Sequence, residues 1–189
     1  MNLLLVWIVI FAVAFVILRR FRRAYSISKP KLGMLDLTGG LSDCIVAEDR
    51  AVLSRFFPTF EESKSEVPKC DVLFLYATLN HDGTLQNTGH YLRAYIRDAG
   101  AKVAVLASEN PNPKWEKGRA TYGRANLVIT IARNGPAFPR FFSELFAQMG
   151  RGRPMPMAWV KLAPQIRNHE HPDCPDTIFL CEVGGITFR

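Results

Sequence analysis

The chain has 189 residues, of which 48% are hydrophobic, and it carries a formal net charge of +7. This length is sufficient for one domain with a buried core, and the chain contains no internal repeat or low-complexity tract. The positive charge does not predict nucleic-acid binding, because four of the arginines follow an N-terminal apolar run, and the basic cluster has no stacking aromatic residue apart from Phe21.

That apolar run, LLLVWIVIFAVAFVIL, covers residues 3–18 and contains no charged side chain. A helix of this length rises about 24 Å, and its flanking residues extend it toward the roughly 30 Å of a bilayer core. Basic residues follow the run and none precedes it, which is the reverse of the pattern in a cleaved signal peptide. We therefore predict a single transmembrane anchor at residues 1–20, with its N-terminus outside.

The basic residues after the anchor place the rest of the chain in the cytoplasm. The cluster consists of Arg19, Arg20, Arg22 and Arg23. Anionic lipid headgroups attract such a cluster, so residues 21–32 are predicted to form a basic juxtamembrane linker and residues 33–189 a cytoplasmic domain. In this reducing compartment the cysteines are expected to be buried thiols without disulfides, at Cys44, Cys70, Cys174 and Cys181.

Three apolar runs predict strands that are buried on both faces, at residues 72–78, 102–108 and 126–132. Apolar residues at helical spacing predict helices at 85–99 and 138–149. A helix-like run near 116–123 and a helix around Trp159 that ends near Pro164 are further predictions. Strands that alternate with helices are typical of a parallel sheet, because parallel strands need crossover connections.

The two ends of the domain add further elements. Residues 33–62 predict a short strand, LGMLDLT, and a helix with a core-facing stripe of Leu53, Phe56, Phe57 and Phe60. TIFLCEV at 177–183 predicts the last strand, and GGITFR an edge strand. The predicted fold is therefore a three-layer α/β fold, caspase-like or flavodoxin-like, with a mainly parallel sheet, helices on both faces and one preceding transmembrane helix.

Polar residues follow the carboxyl ends of the predicted strands, where ligands of open α/β sheets bind. An imidazole can exchange a proton near pH 7, and the neighbouring carboxylate, amide and guanidinium groups suit a polar ligand. A turn is the alternative interpretation, since Asn, Asp and Gly are favoured there and Asp82 or Thr84 would suit a helix cap. The candidate catalytic residues are His81 and Ser108, and the candidate ligand-binding residues are Asn80, Asp82, Glu109, Asn110, Arg133 and Asn134; Gly184 and Gly185 follow the last strand.

No metal site or cofactor is predicted. The segment HEHPDC at 169–174 has zinc-compatible atoms, but it lacks the HExxH and paired CxxC spacings, so we interpret it as a solvated loop. The dinucleotide and P-loop glycine motifs do not occur.

The order of these elements resembles a CHAT domain, the bacterial branch of the caspase-like fold. In that family one strand ends in a catalytic His followed by Gly, and the next strand ends in a nucleophilic Cys. Here LYATLNHDG holds His81, and AKVAVLASEN holds Ser108 where the Cys is expected. RFFSELFAQMGRG, PMAWVKLAPQ and DTIFLCEVGGITF are similar to the later helices and the closing strand. Over residues 71–188 the resemblance implies either a His81–Ser108 pair or an inactive relative, because a thiolate is the nucleophile in this chemistry.

The chain also resembles TIR domains, which share the three-layer order and begin with a strand like CDVLFLYAT. Some TIR domains cleave NAD with a Glu in the helix after the third strand, and Glu144 lies near that place, with a spacing shorter by one residue. The usual Ser-Tyr after the first strand is replaced by Tyr76-Ala77.

The sequence thus predicts a membrane-anchored cytoplasmic caspase-like domain without catalysis, which acts as a sensor or protein-interaction module. Its expected partners are the bilayer and a protein. The alternative is an enzyme, either a His81/Ser108 hydrolase or a TIR-like NAD-cleaving effector.

Overall fold

The computed structural model describes residues 25–40, 42–111, 121–163 and 175–189. The elements in chain order are β1 (Tyr25–Ile27), β2 (Lys31–Asp36), α1 (Asp43–Leu53), β3 (Thr59–Ser63), β4 (Val72–Tyr76), α2 (Leu92–Ala99), β5 (Val103–Leu106), β6 (Asn126–Ala132), α3 (Ala137–Gly150), α4 (Met155–Leu162), β7 (Asp176–Leu180) and β8 (Ile186–Phe188). Strands and helices alternate through much of the chain, as the apolar patterns predict.

Six strands form the main sheet in the order β3-β2-β4-β5-β6-β7. The first five are parallel, and β7 runs antiparallel to β6. Every residue of β4 and β5 is buried, which explains their uninterrupted apolar sequences: a central parallel strand is covered on both faces. The predicted α/β fold with a mainly parallel sheet is confirmed.

Helices cover both faces of the main sheet. On one face, which we call the aromatic face, the Phe74 ring of β4 lies 5.3 Å from the Phe142 ring of α3, and α1 and α4 complete this layer. On the opposite, aliphatic face, Leu73 and Leu75 pack in one cluster with Ile96 of α2. The side chains of β4 alternate between the two faces because successive residues of a strand point in opposite directions.

A separate two-stranded sheet joins β1 to β8 in parallel. Tyr25 is aligned with Ile186, and Ile27 with Phe188. The Phe188 ring lies 5.8 Å from the ring of Phe146 on α3, so this small sheet is held against the aromatic face. The predicted strand in GGITFR thus exists, but it pairs with β1 instead of extending the main sheet.

The two helices predicted after the third buried strand are confirmed as α3 and α4. The predicted helix at 85–99 is wrong over its first half, because α2 begins only at Leu92. Asn87 and Gly89 both have a φ of 66°, which a continuous right-handed helix excludes. The end of the helix was predicted correctly, since Gly100 adopts a left-handed φ of 76° and its amide caps the last turn.

The predicted helical stripe in residues 33–62 is also divided between elements. Helix α1 ends at Leu53, and Phe60 lies in β3, an edge strand that the sequence patterns did not indicate. Phe56 and Phe57 follow the helix and still pack against the Phe146 ring, at 6.2 and 5.2 Å. The stripe therefore belongs to the core without being helical. Within the predicted linker, residues 25–27 form β1, and residues 31 and 32 begin β2.

Among the described cysteines, all of which are free thiols, Cys70 is buried, whereas Cys44 and Cys181 are exposed, contrary to prediction. Cys44 is two residues from the buried Val46, and two residues turn a helix through about 200°, so its side chain faces away from the core. Cys181 follows β7, the edge strand of the main sheet.

Several predictions fall outside the described residues. They concern the anchor at 1–20, most of the helix-like run near 116–123, the HEHPDC segment and Cys174. Within the part of the chain that the structure describes, no helix combines the length and the apolar character needed to cross a bilayer.

Candidate functional site

The loops that follow β4 and β5 are joined by the side chain of Asn110, a residue that is only 3% exposed. Its Oδ1 accepts a hydrogen bond from the backbone N–H of Leu79 at 2.7 Å, and its Nδ2 donates one to the carbonyl of Ser108 at 2.8 Å. The backbone N–H of Asn110 also donates a hydrogen bond to the carbonyl of Thr130 in β6, at 2.8 Å. Asn110 thus connects the loops after β4 and β5 to each other and to strand β6.

Glu109 and Arg133 form the second link at this edge. The Glu109 carboxylate accepts a hydrogen bond from the Arg133 backbone N–H at 2.9 Å. The Arg133 guanidinium turns inward and donates to both carboxylate oxygens of Asp49, at 2.6 and 3.1 Å, and to the carbonyl of Ala107 at 2.9 Å. Its other contact is the ring of Phe138, whose centroid lies 3.8 Å away.

The structure places the guanidinium of Arg133, a predicted ligand-binding residue, inside the protein. An ionised guanidinium is stable in a buried site only when an opposite charge and further acceptors surround it, and here Asp49 and Ala107 supply them. The side chain is 5% exposed, so its donors point into the protein.

Tyr76 completes a buried polar network, which we define as Asp49, Tyr76 and Arg133. The Tyr76 hydroxyl donates to Oδ2 of Asp49 at 2.8 Å. Burial raises the pKa of the Asp49 carboxyl, against the opposing effects of the Arg133 hydrogen bond and charge. Burial also raises the pKa of the Tyr76 hydroxyl, which therefore remains a neutral donor.

Sequence reasoning missed Asp49 and Tyr76, although one signal was present. Asp49 lies between Val46 and Leu53 at helical spacing, on the face of α1 that is buried. A carboxylate within an apolar stripe indicates a buried partner of opposite charge. Tyr76 carries no comparable signal, because an aromatic residue at the end of an apolar strand is a typical core residue.

A second carboxylate missed by the sequence patterns, Asp36, ends β2 at the same edge of the sheet. It is 3% exposed and aligned with Tyr76, on the aromatic face. Its Oδ1 accepts hydrogen bonds from the amide and hydroxyl of Thr38, at 2.8 and 2.6 Å. Its Oδ2 is buried and has no hydrogen-bond partner among the described residues.

The loop that contains His81 is a surface turn. Oδ1 of Asp82 accepts hydrogen bonds from the amide and hydroxyl of Thr84, at 2.9 and 2.6 Å, which lower the pKa of Asp82. Nδ2 of Asn80 donates to the same hydroxyl at 3.1 Å. His81 is exposed, and its imidazole makes no hydrogen bond to any described residue. The turn interpretation thus accounts for Asn80 and Asp82, although no helix begins there.

Ser108 is partly buried at the end of β5. Its Oγ is shielded from solvent and has no hydrogen-bond partner in the described part of the chain, so no bond connects it to His81. Activation of a serine hydroxyl requires a base within about 2.6 to 3.2 Å. The two candidate catalytic residues are therefore not assembled as a pair in this structure.

Asn134 follows β6 and is exposed, with a positive φ of 55°. Its carbonyl accepts a hydrogen bond from the amide of Ala137, the first residue of α3. Gly184, by contrast, lies at the opposite edge of the sheet, where its carbonyl accepts a hydrogen bond from Asn126 at the start of β6. The prediction grouped Gly184 with the site because it assumed a parallel last strand, and β7 is antiparallel.

Glu144, the residue that the TIR resemblance implies, lies on the exposed side of α3. It accepts a hydrogen bond from Nε2 of Gln148 at 2.7 Å, and its carboxylate lies 3.5 Å from the Arg151 guanidinium. Seven residues separate it from the start of α3, about 10 Å along the helix axis. Glu144 is thus an ion-paired surface residue, displaced from the loops around Asn110.

Across the described residues, no group of His, Cys, Asp and Glu side chains is arranged to hold a metal ion. In comparisons with protein-family models, curated proteins and solved structures, nothing matches this chain.

Proposed function

We propose that this chain is a single-pass membrane protein whose cytoplasmic domain is caspase-like and binds a protein or another polar ligand without catalysing a reaction. The proposal rests on the observation that the two candidate catalytic residues, His81 and Ser108, are not hydrogen-bonded to each other. Ser108 Oγ has no hydrogen-bond partner among the described residues, and His81 is an exposed turn residue.

The sheet supports the caspase-like interpretation. Its five parallel strands have the order found in flavodoxin-like folds, but β7 adds an antiparallel edge strand. The resemblance to CHAT domains accounts for this addition, because DTIFLCEVGGITF is the segment that is similar to the closing strand of that family.

The internal hydrogen bonds of Asn110 and Arg133 support a binding role over a catalytic one. Asn110 and Arg133 engage their side-chain donors within the protein, so neither is free to stabilise a developing negative charge on a substrate. The loops after β4, β5 and β6 also carry polar residues that are exposed at the surface: Asn80, His81, Asp82, Glu109 and Asn134. Polar loops on a rigid scaffold are suited to recognition.

Covalent labelling of the full-length chain in detergent tests this proposal. We expect neither a fluorophosphonate nor an iodoacetamide probe to label Ser108 or any thiol in a way that depends on His81. The wild-type chain and His81→Ala are compared by peptide mass spectrometry, with an active serine hydrolase in the same mixture as a positive control. Labelling of Ser108 that disappears in His81→Ala would make the protein a hydrolase.

The NAD-cleaving alternative is tested in parallel with the same preparation. We expect no loss of NAD above that of a protein-free control, and no difference between wild type and Glu144→Gln. Consumption of NAD that Glu144→Gln abolishes would favour the TIR-like function instead.

A further inference from the structure

The parallel strands of the main sheet all start on one side of the sheet, and we call this row of strand starts the amino edge. The described part of the chain begins beside it. The Tyr25 amide donates a hydrogen bond to the carbonyl of Gly185 at 2.7 Å. The ammonium group of Lys102 lies over the Tyr25 ring, 5.9 Å from its centroid, and Lys102 immediately precedes Val103, the first residue of β5. Tyr25 is therefore located beside the amino edge.

Basic residues line this edge at the start of four neighbouring strands. We call this set the basic edge, and it consists of Lys31, Lys69, Lys102 and Arg124. Lys31 is the first residue of β2, and the other three closely precede β4, β5 and β6. All four are exposed or partly exposed. The fold thus places four positively charged residues that are far apart in sequence along one side of the sheet.

The carboxylates near the basic edge are engaged in other contacts. Asp71 accepts a hydrogen bond from the Lys31 amide at 2.9 Å, and Asp98 is paired with Arg97 at 2.8 Å. Glu182 accepts hydrogen bonds from Thr121 and from the amide of Gly123. None of these three carboxylates forms a salt bridge with a side chain of the basic edge, although the Lys69 ammonium donates a hydrogen bond to the backbone carbonyl of Asp98 at 2.6 Å.

The proposed anchor brings this edge close to the bilayer. Arg23, the last arginine of the juxtamembrane cluster, is two residues before Tyr25, and two residues of extended chain span at most about 7 Å. If the cluster lies among the headgroups, Tyr25 and the neighbouring Lys102 lie at the surface of the membrane.

We propose that the basic edge binds anionic lipid headgroups of the bilayer that holds residues 3–18. This inference rests on the proposed membrane anchor. It fixes the orientation of the domain: the amino edge faces the membrane, and the opposite edge, with the loops around Asn110, faces the cytoplasm. The domain is then held at two places, the anchor and the sheet edge, which presents His81 and Glu109 away from the lipid.

Amine acylation of the full chain in nanodiscs tests the orientation. The discs contain either phosphatidylcholine alone or phosphatidylcholine with phosphatidylserine, and peptide mass spectrometry follows the rate at each lysine. We expect Lys31, Lys69 and Lys102 to react more slowly in the anionic discs, on the order of fivefold. The difference should shrink in 1 M salt, where charges are screened within about 3 Å. Lys64 is the internal control, since it follows the last residue of β3 at the opposite edge.

A charge reversal gives a matched pair of variants. Lys102→Glu should reduce the lipid-dependent slowing at Lys31 and Lys69, whereas Lys64→Glu, with the same change in net charge, should leave it unchanged. Equal rates in both kinds of disc, or equal effects of the two variants, would overturn the inference while the anchor stands. Release of the chain from membranes by alkaline carbonate would overturn the anchor and this inference together. Protection of the basic edge by added RNA, without protection by phosphatidylserine, would assign the surface to nucleic acid instead.

Discussion

The guanidinium of Arg133 and the carboxylate of Asp49 form two hydrogen bonds across 84 residues of sequence, in a site where both side chains are buried. This pair connects helix α1 to the loop after β6, and through Tyr76 to β4 as well. It adds a buried polar contact to the apolar packing of α1 against the aromatic face.

Removal of one residue of the buried pair should lower the stability of the domain. We expect Arg133→Met to destabilise the domain by about 3 to 5 kcal/mol, because it leaves a buried carboxylate without its counter-charge. Adding Asp49→Asn should recover part of this loss, since the amide retains an acceptor for the Tyr76 hydroxyl. Urea denaturation measures both effects. The exposed pair of Arg50 and Glu62 is the control, and Arg50→Ala should cost at most about 1 kcal/mol. Similar losses for Arg133→Met and Arg50→Ala would show that the buried pair is not important for stability.

The Arg133→Met variant should also respond to pH. Burial raises the pKa of Asp49, and the Arg133 guanidinium is the described positive group that opposes this effect, so its removal should raise the pKa further. A carboxyl whose pKa is higher in the folded than in the unfolded state stabilises the fold below the unfolded pKa, and this stabilisation is lost as pH rises through the folded pKa. The free energy of unfolding of Arg133→Met should therefore lie closer to that of the wild type at acidic pH than at pH 7. A difference that grows on acidification would contradict this assignment.

Substitutions in the aromatic layer and in the His81 turn should differ in their effect on stability. Phe142 is fully buried, and its ring lies 5.3 Å from Phe74 and 4.8 Å from Phe138. Phe142→Ala should cost about 3 to 5 kcal/mol. His81→Ala should leave the melting temperature nearly unchanged, because the exposed imidazole makes no hydrogen bond to a described residue. If only His81→Ala unfolds the domain, the two roles have been assigned the wrong way round.

Gly33 tests the packing of β2 against the segment that precedes β4. A Cβ atom at this position of β2 would lie 2.6 Å from Sγ of Cys70 and 2.7 Å from Cγ of Pro68. Gly33→Ala should therefore destabilise the fold by about 1 to 3 kcal/mol, and adding Cys70→Ala should recover part of that loss. The control is Gly150→Ala in α3, where the nearest atom lies at 3.5 Å and alanine should gain up to about 1 kcal/mol from helix propensity. Thermal denaturation that ranks Gly33→Ala as the milder change would refute the packing argument.

The topology of the anchor is a separate prediction. Because basic residues follow the apolar run and none precedes it, a reporter fused after Arg189 should be active in the cytoplasm. An alkaline phosphatase fusion, which is active only outside the cytoplasm, is the matched control and should remain inactive. Phosphatase activity, or a mature chain that lacks residues 1–20, would contradict the proposed orientation.

The strands were more predictable than the site. The runs at 72–78 and 126–132 identify β4 and β6, because a strand that is buried on both faces is largely apolar. The helix predicted from Leu85 failed in its first half because a few apolar residues at helical spacing also occur in a turn. At Asn87 the backbone adopts a positive φ that the spacing does not reveal.

The structure brings the predicted polar loops close together, but the contacts that each residue makes there depend on partners that are distant in sequence. The strand-end rule selects Asn110 and Arg133 without indicating that both are engaged internally. That distinction requires Asp49, which belongs to another element of the fold. A pattern along the chain records which residues are polar, whereas their partners are set by tertiary packing.

The parallel pairing of β1 with β8 has a consequence for synthesis of the protein. Since β1 leaves the ribosome before the other described elements and Ile186–Phe188 leave it after them, this pair cannot form until the whole of the main sheet has been made. Insertion of residues 3–18 into the bilayer would then precede closure of the domain. The last step of folding would take place on a nascent chain that is already tethered, within a few ångströms of the lipid that its own sheet edge is proposed to bind.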